Sequence, residues 1–152
     1  MKTTFQEGQL LIRPMTEKDL PQVCRIEKIN FSDPWSREGF LEALSSEQTL
    51  FLVCEAEGEI AGYCGAYCVC GEADITNVSV DPSLHNRHIA FKMLSELLFV
   101  LKEQGVDAYT LEVRVSNKAA IHLYEKLGFI EEGIRPHFYD HPKEDALIMW
   151  KR

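Results

Sequence analysis

Val78-Ser79-Val80-Asp81-Pro82-Ser83-Leu84-His85-Asn86-Arg87-His88-Ile89-Ala90-Phe91-Lys92-Met93-Leu94 passes from an apolar strand, through a proline-containing turn, into the start of a strongly apolar helix. Strand, loop and helix N-terminus in this order put free backbone amides and the positive end of a helix dipole where they can hold an anion. The loop contains no glycine, which most phosphate-cradling loops use for close backbone approach. Taken alone, the stretch therefore reads more readily as an ordinary helix start than as a phosphate site. Beyond it, Ile89, Met93, Leu97 and Leu101 recur every fourth residue with Ala90, Leu94 and Leu98 beside them. That period predicts a helix with a wide buried face, ended by Gly105.

Upstream, residues 49–55 and 60–70 read as two strands joined by the turn Glu57-Gly58, and residues 74–80 as a third. A short first strand is expected over residues 9–13, stopped by Pro14. Thr16 with Asp19 three residues on resembles a capping box for a helix burying Leu20, Val23, Cys24 and Ile26. Ser36 can cap a second helix carrying Phe40, Leu41 and Leu44. Downstream, residues 108–115 alternate, with Tyr109, Leu111, Val113 and Val115 on one side and Thr110, Glu112 and Arg114 on the other. Ser116 or Asn117 caps the next helix, whose stripe is Ala120, Ile121, Leu123, Tyr124 and Leu127, with Gly128 as its stop. Two last strands, 129–134 and 146–150, are expected on either side of a polar segment, 135–145. The order β-α-α-β-β-β-α-β-α-β-β predicts a mixed α/β sheet with helices on both faces.

The 152 residues suit a single domain, 1–152, and 45% hydrophobic with 26% charged residues is an ordinary globular balance. With 16 Lys+Arg against 24 Asp+Glu the net charge is -8, which argues against a nucleic-acid binder and is compatible with a cationic substrate. The first residues lack the apolar core of a signal peptide, and the apolar run 97–101 is far too short to span a bilayer, so no membrane role is expected. Five cysteines, an odd number without a disulfide pattern, read as reduced thiols in a cytoplasmic protein. Cys64, Cys68 and Cys70 fall at even offsets on one strand face with no fourth ligand evident, so they are expected to pack rather than bind metal.

A carboxylate in a strand, Glu112, followed by a tyrosine on the next helix, Tyr124, can supply a base and an acid. Spacing alone leaves an exposed glutamate and a core tyrosine as the commoner readings. His85 and His88 lie close on the turn but lack further ligands, His122 points away from the apolar stripe, and His137 and His141 flank a loop where they could touch a substrate. No nucleophile elbow, Walker loop or dinucleotide fingerprint is present.

Leu111-Glu112-Val113-Arg114, Asn117 and Ala120-Ile121-His122-Leu123-Tyr124-Glu125-Lys126-Leu127-Gly128-Phe129 together resemble the GNAT acetyltransferases. Phe31-Ser32-Asp33-Pro34-Trp35-Ser36 and the Glu-Val-Arg piece are similar to the ribosomal-protein-alanine N-acetyltransferase branch, and the resemblance covers nearly the whole chain. It implies the GNAT fold: a mixed, mostly antiparallel sheet in which two central parallel strands splay apart and acetyl-CoA enters the gap. The strand ending at Val80 and the strand holding Glu112 would be those two. The resemblance further implies that the backbone of Val78, Ser79 and Val80 lies along the acetyl and pantetheine portion. Amides of Asn86, Arg87, His88, Ile89, Ala90 and Phe91 would hold the pyrophosphate, and Asn117 the pantetheine arm. Glu112 would be general base and Tyr124 general acid, with acetyl-CoA as cosubstrate and no metal. The acceptor would be a protein or peptide N-terminus, attacked directly without a cysteine nucleophile, and a monomer is expected. A small-molecule amine acceptor, or a non-catalytic acyl-CoA-binding module, are the other functions this family resemblance admits. The sequence departs from the family pattern in the opening loop, where His85 and His88 replace a polar residue and the usual glycine. It also departs near the last hairpin, where Phe138-Tyr139 offers one hydroxyl.

Overall fold

A computed structural model describes residues 5–7 and 10–152, and side chains from residue 10 onward except at 85–87. Its eight strands are β1 (Phe5–Glu7), β2 (Leu10–Pro14), β3 (Thr49–Ala56), β4 (Glu59–Val69), β5 (Glu72–Val80), β6 (Ala108–Arg114), β7 (Ile130–Asp140) and β8 (Lys143–Lys151). The helices are α1 (Leu20–Asn30), α2 (Arg37–Ser45), α3 (Ile89–Glu103) and α4 (Lys118–Lys126), with 3-10 turns at Glu17–Asp19 and Pro82–Arg87. All strands join one sheet in the order β1-β2-β3-β4-β5-β6-β8-β7, antiparallel throughout except for β5 against β6. None of the helices among the described residues is long and apolar enough to cross a membrane.

The local signals act as the physics of caps and turns requires. Ser36 accepts the Gly39 amide at 3.1 Å to start α2. Of the two candidates for α4, Asn117 is the cap, its Oδ1 accepting the Ala120 amide at 3.2 Å. Asp19 accepts the Thr16 amide at 2.8 Å and both ends of the Arg13 guanidinium at 2.8 and 2.9 Å, tying β2 to the entry of α1. The fourfold period of α3 is the buried one, with Met93, Leu97 and Leu101 fully inside. On this side of the sheet α3 and α4 cover a core that includes Leu52, Cys64, Leu111 and Tyr124. On the other side α1 and α2 cover a second core built on Phe40, Phe51 and Tyr63. Gly65 is required there, because a Cβ would stand 2.2 Å from the Phe51 ring.

Three expectations need correction, on the polar segment 135–145, on His137 and on Cys70. The strand β1 was not legible in the sequence. The strand expected over residues 9–13 is β2 from Leu10 onward, and Gln9 lies outside the described residues. The polar segment 135–145 is not a connection: β7 and β8 pair through it to Asp140–Lys143, with register shifts at Glu131/Gly133 and Arg135/Tyr139. Cross-strand pairing sustains this hairpin although few of its residues are apolar, so an apolar period does not reveal it. His137 therefore sits in a bulge of β7 with φ 55, its amide on Asp145 Oδ1 at 3.0 Å, and is not a loop residue. Finally, Cys64 is buried and Cys68 packs on the same core, but Cys70 is exposed in the turn beyond β4, where φ is 51.

Candidate active site

The parallel ladder between β5 and β6 is only three residues long, Glu72↔Ala108, Ala73↔Tyr109 and Asp74↔Thr110. After it the strands part, and a cavity of about 570 Å³ opens at the divergence. Its walls come from β5 (Ile75 to Val78), β6 (Leu111 to Arg114), the loop after α1, the start of α4 and the tip of the β7–β8 hairpin. Glu112, Asn117 and Tyr124 all line it, although they lie on three different elements.

Glu112 is half-buried, and its Oε2 lies 3.1 Å from Arg135 Nη2 of β7. Asp74 is exposed as a residue, yet partial loss of solvation and then the charge of Glu112 raise its carboxyl pKa, so two carboxylates stand close at this end of the cleft. Tyr124 is 8% exposed and packs edge-on against Phe129 at 6.0 Å. Burial holds its hydroxyl well above the usual phenol range, with neighbouring Tyr139 adding to the shift. A phenol in that state stays protonated through the neutral and alkaline range, which suits a proton donor.

The roof of the cleft is fixed by Arg114, which was read from the sequence only as part of a motif. Its Nη1 donates to Pro142 O at 2.8 Å and to Glu144 at 3.3 Å, its Nη2 to His141 O at 3.4 Å, and its guanidinium covers the Tyr139 ring at 4.3 Å. Glu144 in turn accepts the Ser116 amide at 2.7 Å. From the opposite wall Ser32 donates to His141 O, and Asp33 Oδ2 lies 2.9 Å from His141 Nδ1, a contact that raises the imidazole pKa. Thus His141 does line the cleft, as its sequence position allowed, while His137 does not appear among the lining residues.

Below the cleft, Glu27 is a buried carboxylate that accepts the Trp35 amide at 2.9 Å and the Tyr63 hydroxyl. Asn30 donates from Nδ2 to Val80 O at 2.9 Å and also to Ser79 Oγ. The loop 31–36 is therefore pinned to β4 and β5 by polar groups that sequence periodicity could only score as interruptions of α1.

The loop of the opening stretch is a 3-10 turn capped by Asp81, which accepts the Ser83 amide at 3.0 Å. It ends on His88, whose φ 56 and ψ 29 are left-handed. That is a conformation natural to glycine and tolerated by histidine. The helix α3 starts directly after it, so the amides of residues 86–91 span the end of the turn and the first turn of the helix. His122 is exposed, as expected.

A family model described as Acetyltransferase (GNAT) family matches residues 20–129. The chain belongs to the GNAT acetyltransferase family. The [ribosomal protein bS18]-alanine N-acetyltransferase of Salmonella typhimurium is 37% identical over 137 residues, 89% of this chain and 92% of its own. Its Escherichia coli counterpart is 36% identical over 140 residues, 91% and 94% of the two chains. The crystal structure of the ribosomal-protein-S18-alanine N-acetyltransferase from Escherichia coli superimposes with a TM-score of 0.86 at 35% identity, over 93% of this chain and 92% of that one. This GNAT chain thus carries a β5–β6 pair that parts after three paired residues, with a histidine at the left-handed position just before α3.

Proposed function

We propose that this GNAT enzyme transfers the acetyl group of acetyl-CoA to the N-terminal α-amine of a protein, the N-terminal alanine of small-subunit ribosomal protein S18, in the cytoplasm. The observation that carries the proposal is the convergence of Glu112 and Tyr124 in one cleft at the splayed strands. It is joined by 36–37% identity, over about nine-tenths of the chain, to relatives named for that reaction.

Acetyl-CoA supplies the activated acyl group as a thioester. The residues fit it: the gap between β5 and β6 is flanked by the Val78–Val80 backbone, and residues 86–91 carry the end of the turn into the N-terminus of the 15-residue helix α3. An α-amine has a pKa of about 8 and is largely protonated at neutral pH, so it must lose a proton before it can attack. Glu112 accepts that proton. As the new C–N bond forms and the C–S bond breaks, Tyr124 gives its proton to the departing thiolate, and the second proton lost by the nitrogen restores the Tyr124 hydroxyl through solvent. Asn117 lines the same cavity and would contact the pantetheine arm with its remaining amide group. The proposed attack is direct, with no acyl-enzyme; burial pushes the Cys64 thiol up, away from a nucleophile's range.

Mixing the protein with acetyl-CoA and a peptide bearing the S18 N-terminus should release free CoA and leave one acetyl group on the α-amine. A panel of small amines run beside it should give far slower release. Faster turnover of a small amine than of the peptide would replace the proposed acceptor. For the cofactor loop, the left-handed backbone at His88 already has the shape that glycine would take. His88→Gly should therefore change the acetyl-CoA Kd by less than about threefold, under 1 kcal/mol. It should leave Tm equal or about 1–2 °C higher, because relief of left-handed strain slightly exceeds the added chain entropy. A much weaker Kd in calorimetric titration would instead give the imidazole a direct phosphate contact.

A further inference from the structure

Asn77 is the one buried side chain among the described residues with a polar atom, Oδ1, that has no hydrogen-bond partner. The residue is 6% exposed and lines the cleft. Burying an amide carbonyl without a partner carries its full desolvation penalty, so such a group needs an explanation.

The backbone explains where this carbonyl stands. β4 and β5 shift register after Gly65, with Gly65↔Asn77 and Ala66↔Ile75 leaving Thr76 as the extra residue. Before the bulge, Ala73 and Ile75 face the core under α3, and after it Val78 does so with Val80. Without the extra residue Asn77 and Ser79 would point into that core. With it they turn to the opposite face, where Asn30 bonds Ser79. Glu112 is on that same opposite face, because Leu111 and Val113 on either side of it belong to the α3 core. The last paired residues of the two strands are Asp74 and Thr110. Two strand steps beyond Thr110 lead to Glu112. Three residues beyond Asp74, one absorbed by the bulge, lead to Asn77. The carbonyl and the carboxylate therefore stand at about the same height on the two sides of the gap.

We infer that Asn77 is an acceptor-binding residue, its Oδ1 taking a hydrogen bond from the amine that Glu112 deprotonates. This rests on the acetyl-transfer reading of the cleft. A primary amine that has given one proton to Glu112 keeps two N–H bonds and a lone pair. Asn77 holds one of those N–H groups, which turns the lone pair toward the thioester carbonyl. The nitrogen then forms its bond to the acetyl carbon, the C–S bond breaks, the sulfur takes the Tyr124 proton, and the second proton that nitrogen sheds returns through solvent to the Tyr124 phenolate, leaving an amide with one N–H. Asn77 neither gains nor loses a proton, so an amide suits the position better than a third carboxylate beside Glu112 and Asp74. The ligand class follows: a primary amine, entering from the α1–α2 side of the sheet.

The test compares Asn77→Leu, which keeps the branching and removes the acceptor, with Asn77→Asp, which keeps an acceptor oxygen. Asn77→Leu should melt no lower than wild type, since it removes an unpaired buried carbonyl. It should lower kcat/KM for the alanyl peptide by about 10- to 100-fold, the worth of a lost hydrogen bond to a charged or developing cation. Its acetyl-CoA Kd by calorimetry should stay at the wild-type value, and Asn77→Asp should retain activity within about tenfold of wild type. Lower melting of both variants, with activity falling only as the folded fraction falls, would make Asn77 a structural residue and overturn the inference. A weakened acetyl-CoA Kd with an unchanged peptide KM would assign the carbonyl to the cofactor and overturn it equally. If wild type ignores the alanyl peptide but acetylates another amine, the proposed acceptor fails and the same comparison on that amine decides Asn77. A wild type that acetylates no amine overturns both.

Discussion

Glu112→Gln should lower kcat/KM for an alanyl peptide by about 10²- to 10⁴-fold, the range for losing a positioned general base, while acetyl-CoA affinity and Tm stay near wild type. The amide keeps the shape of the side chain and its place in the cleft, but it cannot take the proton that an ammonium must shed. Stability should change little, because Glu112 is half-buried and its partner Arg135 is more than half exposed, so the ion pair they lose is a weak one. The pH profile supplies the sign. Deprotonation of the α-amine, near pH 8, then becomes the acceptor's own task, so the residual rate of the variant should climb with pH more steeply than that of wild type. Stopped measurements of CoA release from pH 6 to 9 would show this. An unaltered rate at pH 7 would take the base role from Glu112.

Tyr124→Phe should cost about 10²-fold in kcat, with the peptide KM changed far less, because the hydroxyl acts on the leaving thiolate and not on the bound acceptor. The phenylalanine ring preserves the edge-on packing with Phe129, so Tm should hold, whereas removing the ring would open a cavity in the α3–α4 core and confuse the result. Since burial raises the Tyr124 hydroxyl, its ionisation should not produce a fall in wild-type activity below pH 10. Steady-state kinetics of the variant would settle the role. Wild-type kcat would shift attention to Tyr139, which lines the same cleft and whose hydroxyl burial also raises.

The elements that recur in this fold were legible where one physical signal dominated. The fourfold period of Ile89, Met93, Leu97 and Leu101 gave α3, the alternation around Leu111 gave β6, and Glu57-Gly58 gave the β3–β4 turn with both residues at positive φ. Ser36 was legible as a cap for the same reason, a short polar side chain directly before an apolar period, and the α4 cap was narrowed to Ser116 or Asn117, of which the structure uses Asn117. The β7–β8 hairpin was not, because its outer half is polar and is held by strand pairing and by Arg114 at its tip. The site was legible only in part. Glu112 and Tyr124 stood out through the family resemblance, since spacing alone could not separate a base from a surface glutamate. Asn77 was missed because a bulge reversed the alternation, and a period-two reading assigns it to the wrong face. Its signal in the sequence was an amide among apolar strand residues. The anchors Glu27 and Asn30 were missed likewise, since Glu27 binds Tyr63, 36 residues away, as well as Trp35, and Asn30 binds Val80, 50 residues away.

The histidine in place of the family's loop glycine also gains a physical meaning from the backbone. At φ 56, His88 holds the turn in a left-handed, glycine-like shape at some cost in strain.

The most direct test of the account is mass spectrometry of an alanyl peptide that also contains a lysine, after turnover with acetyl-CoA. The cleft predicts a single acetyl group on the N-terminal nitrogen, with the lysine side chain unmodified and the enzyme itself unacetylated. Acetyl on the lysine alone, an acetylated cysteine on the enzyme, or no transfer to the peptide would contradict it.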